Sequence, residues 1–164
     1  MTGPRDLAQQ PFVQILRDMA STQVAPGAGA AGGLCLALAA ACGAKAVAIS
    51  ATRHPQDGRF VEPAQKLAEI MRLALVAAAR DAHRFEDYTH DRSPESITCL
   101  IAAGEEFERL IKALQEVLAE TDPYVDPVMK GDVRAALALC EAALVIQRGN
   151  SKESRVAKRE LVGE

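Results

Sequence analysis

Residues 24–53 read VAPGAGAAGGLCLALAAACGAKAVAISATR, and this stretch decides the fold. No charged residue falls between Asp18 and Lys45. A proline and a run of glycines lead into a long Ala-rich apolar segment that ends on Arg53. Apolar residues on nearly every face of a helix imply cover on all sides. Small side chains let neighbouring helices approach closely. The stretch therefore predicts a central helix wrapped by others, entered through a glycine loop over Ser21–Gly33. Free backbone N–H groups at such a start can meet an anionic or carbonyl-bearing ligand. A plainer reading is that the glycines only make a tight turn into a core helix. The run is also long enough to span a membrane. Its Ala/Gly content, the internal Lys45 and the lack of a second span argue against that, so no membrane partner is expected. It begins too late, and without a basic start, to read as a secretory signal.

Working outward, the amino end carries Phe12, Ile15, Leu16 and Met19 at helical spacing, an amphipathic first helix over Leu7–Ala20 behind a frayed residues 1–6. After the Ala-rich helix, His54-Pro55 is a stop, because the residue before proline is driven from the α region. Pro63 suits a first helical turn. From Val61 to Tyr88, Leu67, Ile70, Met71, Ala74, Leu75 and Ala78 share one face, and Asp81 continues it. A carboxylate on an apolar stripe is costly to bury unless partnered. Asp81 either lies at the stripe's edge and pairs with Arg80, Arg84 or a neighbouring helix, or it lines a pocket.

His90–Glu95 breaks the helix, and Ser93 or Ser96 caps the next, which runs to Glu120 with Phe107, Ile111 and Leu114 inward. Two prolines make Thr121–Lys130 a loop. Asp132 is the expected N-cap of a last core helix over Val133–Arg148, which Gly149-Asn150 ends. Residues 1–150 thus form one helical domain. Residues 151–164 are a charged tail, a surface helix or disordered. The expected fold is all-α, a single bundle of about five helices around the Ala/Gly-rich one. An Ala-rich face needs a large cover, so a homodimer is expected.

The composition agrees. Hydrophobic residues make 49% of the 164, aromatics 4%, with no Trp, so Ala, Leu, Val and Ile must build the core. A net charge of −3 gives no argument for nucleic acid. Cys35, Cys42, Cys99 and Cys140 stand apart in apolar segments without a CxxC pair, as buried thiols in a cytoplasmic protein do, and no metal site is expected.

Phe12–Ser21, then Ala25-Pro26-Gly27-Ala28-Gly29-Ala30, then the Ala-rich helix ending in Ile49-Ser50-Ala51-Thr52-Arg53, resembles the entry pattern of the cyclodeaminase/cyclohydrolase family of folate enzymes. That family includes the cyclodeaminase half of formiminotransferase-cyclodeaminase and bacterial methenyltetrahydrofolate cyclohydrolases. Its pattern is a FLDELAS-type helix, A-P-G-G-G-S, and an Ala/Gly-rich helix ending in L-T-x-G-[KR]. Asp81-Ala82-His83-Arg84-Phe85 resembles its D-A-E-A-F, and Gly131-Asp132-Val133 its S-D-x-x-V-A segment. Departures are Ala28 and Ala30 for a glycine and a serine, Ser93-Pro94-Glu95 for L-P-K, and Leu144-Val145-Ile146-Gln147-Arg148 for N-V-x-x-N. The asparagine expected shortly before S-D is absent, with Asp126 nearby.

The resemblance implies a tetrahydrofolate derivative as substrate and Asp81 as catalytic acid/base. Pro26, Gly27, Gly29, Arg53 and Asp132 would bind substrate, with Arg53 on the acidic glutamate tail. For Arg53, the other reading is a cation favouring its own helix's negative end; for Asp132, a helix cap. His83, within the same turn as Asp81, is a proton relay or a surface histidine; His54 and His90 read as loop residues. The expected function is interconversion of methenyltetrahydrofolate with its formimino or formyl form. The alternatives are a non-catalytic relative that binds a small ligand or partner, and an enzyme for another pterin or amidine-like substrate.

Overall fold

The computed structural model describes residues 11–163, and its regular structure is helical throughout, with no strand among the described residues. Five α-helices follow one another: α1 Phe12–Met19, α2 Ala28–Arg53, α3 Val61–Asp91, α4 Pro94–Thr121 and α5 Lys130–Val162. The expected start of the first helix at Leu7 and the fraying before it lie outside the described residues.

The ends follow local chemistry. Gly27 precedes α2 with no side-chain cap, after a cis Ala25–Pro26 bond. α3 stops where Arg92 turns left-handed at φ 45°. Ser93 caps α4 by accepting from the Ser96 N–H, and Pro94 takes the first turn, where its missing donor costs nothing. Short connections make α2, α3, α4 and α5 run alternately up and down. α2 packs on α3 and α5, and α4 packs on α3 and α5, while α2 and α4 barely meet across the diagonal. Leu36, Leu67, Ile111, Leu114 and Leu118 are fully buried where the four helices converge. α1 lies across one end, with Ile15 packed on Ala30 and Ala78.

Three expectations are corrected. α2 is not wrapped on all sides but is one of four bundle members. Its buried residues face α3 and α5, while Leu38, Lys45 and Ala48 point outward, Leu38 with 46% of its surface exposed. It is long and apolar enough to cross a membrane, as no other helix among the described residues is. Second, Gly149-Asn150 does not end α5, which continues helically to Val162. Third, Asp132 is not the N-cap, since Met129 holds that place; Asp132 sits inside the first turn and pairs with Lys45 at 3.4 Å. The thiols also differ: Cys140 is buried, Cys35 and Cys42 are half-buried, and Cys99 is exposed.

The helical glycines fall into two kinds. At Gly33 an added Cβ would meet Ala78 Cβ at 2.6 Å and Ala78 backbone at 2.9 Å, whereas at Gly149 it would meet nothing within 4 Å. Since α5 runs through Gly149, Gly149→Ala is expected to stabilise the protein by about 0.5–1 kcal/mol. Urea unfolding checks this. An unchanged midpoint would mean that α5 is broken there in solution.

Candidate functional site

The antiparallel order brings the start of α2, the second half of α3, the start of α4 and the second half of α5 to the same end of the bundle. Gly29 and Asp81 meet there. A Cβ on Gly29 would overlap Asp81 Cγ and both carboxylate oxygens, so the carboxyl lies directly on the α2 backbone. Only glycine leaves that room. Asp81 is half-buried, and no hydrogen-bond donor reaches it among the described residues. Burial pushes its carboxyl above the ordinary aspartate value, and the nearby Arg84 charge opposes the shift.

Two clefts share Asp81 and Gly29 as a common wall. One, of about 180 Å³, has an apolar floor of Leu73, Val76, Ala77, Phe107 and Leu110, with Arg80, Arg84, Glu106 and Gln147 as its polar members. The other, of about 290 Å³, is bounded by Gly27, Ala28, Phe85, Tyr88, Ile97 and Leu100, and by Asn150, Glu153, Ser154 and Ala157 of α5. The backbone N–H groups of Ala28, Gly29 and Ala30 begin α2 beside this second cleft, with no helical carbonyl ahead of them. The structure thus brings Gly27, Gly29 and Asp81 together, with Pro26 just before them in the chain.

Arg53 and Asp132 are not brought to that end. Arg53 lies 24 residues along α2 from Gly29, about 36 Å at the helical rise. Its Nη1 donates to both Asp126 oxygens at 3.1 Å. Asp126 also accepts from the Val128 N–H, and its own N–H donates to the buried Ser50 hydroxyl. The Val128 N–H and Arg53 hold the Asp126 carboxyl below its usual range. This network ties the 122–129 loop to the end of α2. Lys45, the partner of Asp132, is about 24 Å from Gly29 along the same helix. His83 faces Glu86 at 4.0 Å, and His54 and His90 occupy helix ends.

Sequence reasoning missed Gln147 and the α5 residues beyond it. The signal was present: Val133, Ala136, Cys140, Ala143 and Gln147 are the buried residues of α5, three or four apart, and Ser151 and Ser154 extend the same spacing past Gly149. No group of three or more His, Cys, Asp or Glu residues is arranged to hold a metal among the described residues.

Fold and cleft define a class: an all-helical bundle whose one end carries a half-buried carboxylate between two adjoining clefts. The chain belongs to the formiminotransferase-cyclodeaminase family, whose sequence model matches residues 11–99. The match spans α1 to the first turns of α4 and includes Gly27, Gly29 and Asp81, and the family's function is folate-related one-carbon chemistry. No curated protein matches the chain.

Proposed function

We propose that the protein converts methenyltetrahydrofolate to or from its formyl or formimino form, with Asp81 as the acid/base. What carries the reading is the carboxyl shared by two clefts. Each is smaller than the roughly 300 Å³ at which ligand pockets usually begin. A folate-sized molecule therefore occupies both, and its reacting carbon sits at the wall between them. In the cyclohydrolase direction, water adds to the methenyl carbon and gives a tetrahedral adduct. Asp81 takes the water's proton and returns one to the departing ring nitrogen. In the cyclodeaminase reaction, the exocyclic amine nitrogen attacks the formimino carbon and gives up its proton, and the same carboxyl protonates the amino group, which leaves as ammonia. A carboxyl whose pKa is raised by burial holds its proton more readily than an ordinary aspartate, which suits a group that must both give and take one.

Gly29 admits the carboxyl, and Gly27 lets the chain pass close to the ligand. Arg53 is too distant to meet the ligand's acidic tail within one protomer. Arg53 and Asp132 then serve the loop and helix packing at the far end. The protein works in the cytoplasm without a metal ion.

Decay of the near-ultraviolet absorbance of methenyltetrahydrofolate tests the reading. Enzyme-dependent decay, or ammonia-linked formation from the formimino compound, is expected. The second reading, a relative that binds without reacting, is favoured by Ala28, Ala30 and the missing asparagines. Binding of folate by calorimetry without turnover would select it, and neither binding nor turnover would remove both.

A homodimer belongs to the same proposal. The outward face of α2 exposes Leu38, Lys45 and Ala48, with half-buried Ala31 and Ala41 at helical spacing from them, and α1 exposes Phe12 and Leu16 beside its end. A second copy covers this face. Sedimentation at micromolar concentration is expected to give twice the 17.5 kDa of one chain. A species of one chain's mass throughout would remove the dimer.

A further inference from the structure

Gln147 is 6% exposed on α5 and lines the smaller cleft beside Asp81. Its surroundings fix which way the amide points. Nε2 donates to Ser151 Oγ at 3.0 Å, and Ser151 Oγ donates to Glu108 Oε1 at 3.3 Å. A serine hydroxyl has one proton. Given to the Glu108 carboxylate, it leaves Ser151 able only to accept, so the NH₂ end of Gln147 must face Ser151. Gly104 seals that side, because a Cβ there would overlap Nε2. The side-chain carbonyl is left, and no donor reaches it among the described residues. Buried acceptors nearly always find a donor, so one left open in a cleft calls for a ligand.

We propose that Gln147 is a specificity-determining residue whose side-chain carbonyl accepts a hydrogen bond from the exocyclic amino group of a 2-aminopyrimidinone ring lying on the apolar floor of this cleft. This rests on the folate reading above and adds the orientation of the ligand: the ring's amino edge towards α5 and its reacting carbon towards Asp81. The Ser151–Glu108 relay holds the amide in the accepting orientation. An oxygen at that place in a ligand, or a methyl group, leaves the carbonyl unpaired.

The test is calorimetry on the full chain with 5-formyltetrahydrofolate and its 2-desamino-2-methyl analogue. Wild type is expected to prefer the amino compound by about tenfold or more, the worth of one buried hydrogen bond. Gln147→Leu should bind the two alike. Ser151→Ala, which lets the amide turn, should narrow the preference and serves if Gln147→Leu does not fold. Equal binding by wild type overturns the proposal and leaves the folate reading standing. A preference that survives both substitutions overturns it too, since another group then reads the ring. Binding of neither compound by wild type removes the folate reading and this inference together.

Discussion

Asp81→Asn is expected to lower turnover by about 10²–10⁴, the range that a positioned acid/base contributes, while leaving the protein more stable at neutral pH than wild type. The two effects have one cause. Asp81 is half-buried against Gly29 with no hydrogen-bond donor among the described residues, and burial raises its pKa. A raised folded-state value means that the folded protein holds this proton more tightly than the unfolded chain does. The stability that goes with the neutral carboxyl is therefore complete below the ordinary aspartate value of about 3.9. It is lost as pH rises through the raised value. Above that value wild type carries the cost of an ionised carboxylate in a poorly solvated place, and asparagine does not. Melting curves should therefore place the variant above wild type at pH 7 to 8, with the gap closing towards pH 4. A variant that melts lower at every pH and loses activity in proportion would make Asp81 a packing residue. Full turnover in the variant would take the acid/base role from it.

Gly33→Val should destabilise by about 3 kcal/mol, the upper end of what overpacking costs. The reason is where the crowding falls. The new Cβ would stand 2.6 Å from Ala78 Cβ and 2.9 Å from Ala78 Cα and N, and two methyl groups would follow it. Backbone atoms cannot swing aside as the end of a long side chain does, so α2 and α3 must separate. Valine's better helix propensity returns only a few tenths of a kcal/mol. For a domain of this size the melting temperature should fall by on the order of 10 °C. Gly29 lies one turn before Gly33 on the same face, so the separation also draws the α2 backbone from Asp81, and turnover should fall more than stability alone explains. Gly149→Ala, in open space, is the control of opposite sign. If Gly33→Val melts within a degree of wild type, the two helices are not in the contact described.

Residues 24–53 and the Asp81 stripe were legible because their signals are local. A proline–glycine entry, an uncharged Ala-rich run and a carboxylate at the next position of a helical face are all contained in short windows. They gave the all-helical bundle, the five helices, and the candidate pairing of the glycine start with Asp81, which the structure brings into contact. The Ser93 cap was legible for the same reason, since capping acts over three residues. Gly149-Asn150 misled because a glycine is a weak stop. Packing of residues on both sides of it, from Ala143 to Ala157, outweighs its propensity, and the helix continues. Asp132 misled in the same way: its cap chemistry was plausible locally, but Lys45 from α2 claims it.

From the sequence alone came the helical class, the α2 segment and the family likeness, because composition, periodicity and short motifs are properties of neighbours in the chain. Which helices touch was settled only when the chain folded. Uniform apolarity shows that α2 needs cover but not from which sides, and in the bundle α3 and α5 supply it while one face stays open. Tertiary structure also separated Arg53 and Asp132 from Asp81 by most of a helix length, though the motif grouped them. It placed Gln147, more than sixty residues beyond Asp81, in the same cleft. Distance along an antiparallel bundle is set by how far each residue lies from its helix's end, and no local pattern records that.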